Sequence, residues 1–555
     1  MIFKQNFLKY SIFITITFIV FNHHLIYANW RWDDTQILLH AINTSIWDNF
    51  ANPEVWRKFS PNNLTPWLII SFKIDYFIFG LNPIGFYFHH LLSIIILSLL
   101  LIYLTIKLTN NYKSGLLFYI FFISGAPLYT LTEQLMTRHY IEGMIFCILS
   151  IIFSIKHSNS KNNNNIIISL VFYILAAISK EIYVPLIGIL LLIYFYKKVI
   201  NYKIIFSHLL IGLSYTGWRF FMLPSVIGGY STGDFNISGI KFEKYAYGYL
   251  KIPEIIFGNF WILAVLAILA LTIIYFYIKP KNIIFILSSL ILILLPLAPL
   301  MNYPGINYPD RYLFALWIFL SLFITVIIFN ILYSCEKIVG KITFIIFIFL
   351  TLPLSANQSY KYRGYAILMG NEFDSHAKFI NNNESEINFF PSKLVSDSGW
   401  FITGLLDLNK NILNKENKIK IITDEIYIKD VYKDFWIFSQ QCKCIENKSS
   451  DLENTKNLLF KSIRLDSSLS VYLKIQRNPD SIEWLFGPYT SGSYEVLLPD
   501  TYVAMKLQKK GSLKIQIDNT KDISFVLKYT DPTGWSTYSP LLKVGVFTPV
   551  QEWKR

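Results

Sequence analysis

Two adjacent carboxylates, Asp33 and Asp34, sit in the segment NWRWDDTQ (residues 29–36), just past a long apolar run. A carboxylate there can cap a helix, or it can take the proton of a hydroxyl that attacks a substrate. Other ionisable residues stand at the ends of later apolar runs: Glu133 and Arg138, Lys180 and Glu181, Arg219, and Asp310 with Arg311. Charges in such places are costly unless they pair or bind something. Each also has a structural reading: an interfacial ion pair for Glu133 and Arg138, a snorkelling side chain for Arg219, a helix-start carboxylate for Asp310. Lys180-Glu181 is the hardest to read that way, because almost nothing else separates the two apolar runs around it. Taken together, the set meets the needs of one reaction class, sugar transfer from a lipid phosphate. That reaction requires a carboxylate base, cations (preferably arginines) to hold the leaving phosphate, and an apolar groove for the lipid tail.

The elements that would position these residues follow from the apolar pattern. Of 555 residues, 53% are apolar and only 15% charged, against roughly a quarter charged in soluble proteins. The apolar excess fills residues 7 to 354, and runs long enough to cross a bilayer give about eleven predicted spans. They lie near 7–28, 84–106, 115–131, 139–155, 166–179, 182–196, 204–223, 255–278, 282–301, 311–333 and 342–356. The lysines orient them. Lys4 and Lys9, Lys107 and Lys113, Lys156 and Lys161, Lys197, Lys198 and Lys203, Lys279 and Lys281, and Lys337 and Lys341 all fall on one face. The positive-inside rule makes that face cytoplasmic, so the charged pairs above lie on the opposite, extracytoplasmic face. The first run reads as a retained span rather than a cleaved signal, since Ala-Asn-Trp after Tyr27 is a poor cleavage site.

The first outer connection, residues 29–83, is predicted to be structured. Ile37, Leu38, Ala41, Ile42 and Ile46 share one helical face, with Asp34 as an N-terminal cap. WLIISFKIDYFIFGLNP is apolar but interrupted by Lys73 and Asp75, and reads as an interfacial helix rather than a span. From residue 357 the texture becomes that of a soluble domain, with strands joined by Pro-Asp, Lys-Gly and Asp-Asn turns after some helix between 365 and 460. Trp484, Tyr489 and Trp535 fit either a sugar-stacking surface or that domain's core. The expected architecture is therefore a polytopic α-helical membrane domain over residues 1–356, followed by a β-rich extracytoplasmic domain over 357–555.

Two function classes are disfavoured. The net charge of +14 is spread through short loops rather than a basic patch, so nucleic acid is not an expected partner. The four cysteines form no disulfide framework. Cys442-Lys443-Cys444 lacks the second pair a zinc site needs, which favours a local structural role over a redox or metal one.

The ordered motifs resemble those of the multi-spanning glycosyltransferases of the GT-C fold, closest to the protein O-mannosyltransferase-like and TMTC-type branch. The matching residues are the acidic pair in WDD; Gly80, Pro83, Phe86, His89 and His90 in FGLNPIGFYFHH; and Pro127, Glu133 and Arg138 in APLYTLTEQLMTRHY. Ser-Lys-Glu in AAISKEIYVPL and Asp-Arg-Tyr-Leu in PDRYLFALW complete the set. The resemblance spans residues 7–350. It implies inverting transfer of a sugar from a polyprenyl-phosphate donor to an extracytoplasmic acceptor, whether protein, lipid or glycan. Asp33 is then the general base, with Asp34 orienting it or capping the helix. Arg138, Lys180, Arg219 and Arg311 hold the donor phosphate, and Glu133, Glu181 and Asp310 position those cations or bind sugar hydroxyls. No metal or other cofactor is expected, because a lipid monophosphate leaves one phosphate for arginines to neutralise. His89 and His90 are expected to be structural. The alternative readings are a transporter or flippase of lipid-linked sugars, or a polymerase or ligase of surface polysaccharide. Heavy Ile, Asn and Lys usage points to an AT-rich genome and a bacterial inner membrane.

Overall fold

Asparagine and proline punctuate the apolar half of the chain. Pro83 opens the helix Pro83–Thr109 while the Asn82 side chain accepts from Ile84 N, serving a donor that the first helical turn leaves unpaired. Asn110 then ends the helix in the left-handed region (φ 54°), and Asn111 accepts from Lys113 N to start Tyr112–Ile123. Asn162 does the same for Asn163–Ser179. The computed structural model describes residues 2–61, 63–160, 162–185, 188, 190, 202–223, 242–278, 294, 311–334, 337–416, 418–464, 468–476, 481–498, 503–514, 523–544 and 550–554.

Tertiary contacts divide the chain into two units. One comprises Met1–Ala28 and His40–Leu368, and the other Asn29–Leu39 and Met369–Arg555. Among the described residues of the first unit, four helices are long and apolar enough to cross a membrane: Pro83–Thr109, Leu135–Ser158, Ala246–Tyr277 and Arg311–Leu332. A fifth span is made if the bent pair Tyr112–Ile123 and Ala126–Thr132 counts as one. Eleven spans are thus not seen. Most of the stretch 182–196 and nearly all of 282–301 fall outside the described residues, and Ser11–Tyr27 and Asn163–Ser179 are short apolar helices. The stretch 342–356 is part of one continuous helix, Lys337–Asn382.

The bend in the pair has a packing cause. The two arms meet at 69° around Gly125, where a Cβ would collide with the Trp317 indole. That indole donates to Phe122 O at 3.1 Å, engaging a carbonyl at the helix break. The apolar interior of this unit gathers Ile94, Leu97, Leu101, Phe118, Phe122, Ile141, Ile148 and Phe314 into one cluster.

The connection 29–83 is helical, as the sequence predicts. Asp34–Asn43, Pro53–Phe59 and Pro66–Phe79 are helices. Ile37, Leu38 and Ala41 are buried, while Ile46 lies past the helix end and is exposed. Lys73, which interrupts the apolar run, donates to the carbonyls of Ala41 (2.9 Å) and Thr44 (2.5 Å), a cation on the end of the preceding helix.

The second unit begins as α/β and ends as β. Its first sheet has the order β2-β1-β3-β4, with β1 (Ile387–Phe390) parallel to both β2 (Ile419–Ile421) and β3 (Phe435–Ser439), and β4 (Cys444–Asn447) antiparallel to β3. Two antiparallel sheets follow. One runs β13-β5-β6-β9, from Ser470–Gln476 (β5), Ser481–Gly487 (β6), Lys510–Lys514 (β9) and Val550–Lys554 (β13). The other runs β11-β10-β7-β8, from Ser493–Leu498 (β7), Val503–Leu507 (β8), Ile523–Thr530 (β10) and Ser536–Tyr538 (β11), with Leu542–Val544 (β12) also pairing β10. Val471, Leu473 and Phe486 of one sheet and Tyr494, Val496, Leu527 and Tyr529 of the other form a single buried cluster, the packing of a sandwich. Trp484, Tyr489 and Trp535 pack against that cluster as partly buried side chains. Lys528 of β10 reaches Asp424 Oδ2 at 2.7 Å. Burial opposes its charge, but Asp424, Glu425 and Glu495 outweigh that and hold its ammonium above the usual range.

His376 lies on the part of the helix Lys337–Asn382 that belongs to this unit. Its Nδ1 lies 2.7 Å from Glu372 O and Ser392 N donates to its Nε2 at 3.1 Å, so the ring is used as a neutral donor–acceptor. Burial pushes its pKa down to about 4. Because the folded value lies below that of the unfolded chain, His376 is expected to leave stability flat above pH 6.5. Stability should then fall by up to about 3 kcal/mol as pH drops toward 4, where the unfolded chain alone takes the proton. Chemical unfolding of wild type and His376→Gln across pH 4–8 tests this: the acid-side slope should flatten in the variant.

Candidate functional site

The break after the helix Asn163–Ser179 places Lys180 and Glu181 side by side. Lys180 is extended (φ −160°, ψ 138°) and precedes the short 3-10 turn Glu181–Tyr183. Both face Arg219, in the last turn of Tyr202–Met222. Glu181 divides its carboxylate between two cations: Oε1 is 3.1 Å from Arg219 NH1 and Oε2 is 3.4 Å from Lys180 Nζ. Lys180 and Arg219 are nearly inaccessible, at 4% and 2% exposure. Lys180 Nζ also donates to Asn63 Oδ1 at 2.9 Å and lies 5.6 Å from the Tyr140 ring. Tyr140 meets Tyr312 edge to face at 6.0 Å, and Arg311 stacks on Tyr312 at 5.2 Å. An aromatic pair thus links Lys180 to Arg311. Burial holds Lys180 below its usual range, with Arg311 and Arg219 adding to the effect and Glu181 opposing it. An anion brought here would relieve that repulsion.

A second buried group surrounds Arg138, at the start of Arg138–Ser160. Its guanidinium pairs with Asp75, donates to Ser71 Oγ at 3.2 Å and Phe86 O at 2.6 Å, and lies over the rings of Phe72 and Phe86. His89 Nδ1 is 2.7 Å from the other Asp75 oxygen, and its Nε2 is 3.5 Å from Glu142 Oε1. Glu142 accepts from Trp67 Nε1 at 2.6 Å and Ser71 Oγ at 3.0 Å. Two carboxylates face an arginine and a histidine whose side chain is 30% exposed, while Asp75 and Arg138 are sealed.

The predicted residues therefore separate. Lys180, Glu181 and Arg219 come together, with Arg311 beside them. Arg138 lies in the other group, engaged by Asp75, Ser71 and Phe86 O. Glu133 is buried and takes His24 Nε2 at 2.6 Å. Asp310 lies outside the described residues. Asp33 and Asp34 belong to the second unit. There Asp33 is half-buried and its carbonyl accepts from Ile37 N, which makes it, and not the expected Asp34, the N-cap residue. Asp34 is wholly buried in the first helical turn, its Oδ2 accepting from Arg31 N at 3.0 Å. Arg31 is itself clamped by Asp374, with Nε to Oδ1 at 2.9 Å and NH2 to Oδ2 at 2.7 Å.

Glu142 is not among the residues singled out from the sequence, and His89, expected to be structural, lies between it and Asp75. Arg138 and Glu142 stand four apart on one helix, a spacing that places them on one face. The Arg31–Asp374 pair left no local signal, being 343 residues apart. No family model, curated protein or solved structure matches the chain.

Proposed function

We propose that this chain is an integral-membrane inverting glycosyltransferase of GT-C-like architecture, with about eleven spans. In this reading it moves a sugar from a polyprenyl-phosphate donor to an extracytoplasmic acceptor, in a bacterial inner membrane. The observation that carries the reading is the sequestered group of Lys180, Glu181 and Arg219, with Arg311 beside it. Buried cations sharing one carboxylate suit a ligand that brings its own negative charge, and the apolar helices around them suit a lipid tail. In the reaction the acceptor hydroxyl attacks the anomeric carbon as the sugar–phosphate bond breaks. The base takes the hydroxyl proton, and Lys180, Arg219 and Arg311 receive the charge that develops on the phosphate. Asp33 is the base in this reading on the strength of the sequence resemblance alone. Glu133 stays with the positioning residues, and Arg138, expected at the donor phosphate but engaged by Asp75, Ser71 and Phe86 O, is moved to join them.

The test is sugar transfer by the purified full chain in nanodiscs, with polyprenyl-phosphate hexose and pentose donors and protein, lipid and glycan acceptors. Lys180→Met and Arg219→Met should each raise the donor KM about 10- to 100-fold, the loss of one charge-assisted contact. Variants indistinguishable from wild type would move the donor site elsewhere. Wild type that transfers nothing, yet carries lipid-linked sugar across proteoliposomes, would favour the transporter reading.

A further inference from the structure

We propose that the Cys442–Cys444 disulfide is a thiol–disulfide exchange site, taking two electrons from a pair of cysteine thiols on a second polypeptide. The bond joins residues two apart in sequence, and both half-cystines are exposed. It sits at the turn between β3 and β4. There backbone pairing from Trp436 with Asn447 to Ser439 with Cys444 sets the hairpin register by itself. A bond that encloses one residue removes little freedom from the unfolded chain, so its value as a staple is small. The one residue it encloses, Lys443, sits in the turn at φ 55°. Little structural purpose and an exposed position are the features of a labile disulfide rather than a structural one.

The surroundings choose the sulfur attacked. Glu446 Oε1 is 3.1 Å from Cys442 Sγ and 4.0 Å from Cys444 Sγ, and Lys448 pairs with that carboxylate at 2.8 Å. The carboxylate penalises a thiolate on Cys442 more than one on Cys444, so Cys444 is the better leaving group. A partner thiolate attacks Cys442 Sγ, the S–S bond breaks, and Cys444 departs as a thiolate that takes a proton from water. The partner's second thiol loses its proton and attacks the partner sulfur of the mixed disulfide, releasing Cys442, which is protonated in turn. The partner ends with one disulfide and this chain with two thiols.

The experiment uses the full-length protein in detergent with a reduced synthetic peptide carrying two cysteines, quenched by acid and alkylation and read by mass spectrometry. One peptide disulfide should form for each pair of thiols appearing at Cys442 and Cys444, with an early mixed disulfide on Cys442. The Cys442→Ser/Cys444→Ser protein should form none, and its Tm should stay within about 4 °C of wild type. A bond that remains oxidised in excess peptide would overturn the proposal. So would a much larger fall in Tm, which would make the bond a staple.

Discussion

Asp33→Asn is expected to lower the kcat of sugar transfer by about 10²- to 10⁴-fold, the scale of a lost general base, while leaving Tm and the donor KM near wild type. The substitution separates two roles that the sequence left entangled. Asp33 holds the N-cap position of the helix Asp34–Asn43, its carbonyl accepting from Ile37 N. Asparagine caps a helix about as well as aspartate, but it cannot accept a proton at neutral pH. If Asp33 were only a cap, Asp33→Asn would be silent in both assays. Asp34→Asn tests a different residue. Asp34 is fully buried and its carboxylate oxygen accepts from Arg31 N, in a segment held by the Arg31–Asp374 clamp. Loss there should appear first as lower stability of the second unit, because a weakened buried hydrogen bond costs about 1 kcal/mol or more. Full activity in Asp33→Asn together with loss in a well-folded Asp34→Asn would pass the base role to Asp34.

What the sequence disclosed follows from how local each cause is. The apolar pattern placed helices near 84, 115 and 166, within three residues of starts whose causes are local, since Asn82, Asn111 and Asn162 each accept from a donor two residues on. The β-rich texture after residue 460 was readable because alternation and turn residues are local as well. The change at the middle of the chain was less visible. Lys337–Asn382 continues as one helix through the loss of hydrophobicity, since a helix satisfies its own backbone in lipid and water alike. The inclusion of Asn29–Leu39 in the second unit rests on Arg31, Trp32 and their partners Asp374 and Phe373, contacts that no window of sequence contains. Among the site residues, Lys180 and Glu181 were legible because two adjacent charges in an apolar stretch are costly. Asp75 was visible as an interruption, but its partner Arg138 lies 63 residues on. Their pairing therefore emerges only in the fold.

Arg138→Met should destabilise the protein by about 3–5 kcal/mol, the cost of leaving a buried carboxylate without its cation. Asp75 is 1% exposed, and among the described residues His89 alone would remain paired with it without Arg138, with Glu142 already at the other nitrogen of that ring. Asp75→Asn alone leaves Arg138 buried beside Glu142, an arrangement in which one charge still faces another. Arg138→Met with Asp75→Asn removes both members of the pair, and should recover much of the loss, because a neutral amide needs hydrogen bonds and not a counter-charge. Unfolding of the four proteins in the same detergent gives the coupling energy. Strict additivity would mean that the pair is incidental. The same double variant, assayed for transfer at a temperature where it is folded, separates scaffold from ligand. Retained donor affinity makes Arg138 a structural cation and leaves Lys180, Arg219 and Arg311 to hold the phosphate. A fall in affinity with stability restored returns Arg138 to the donor site.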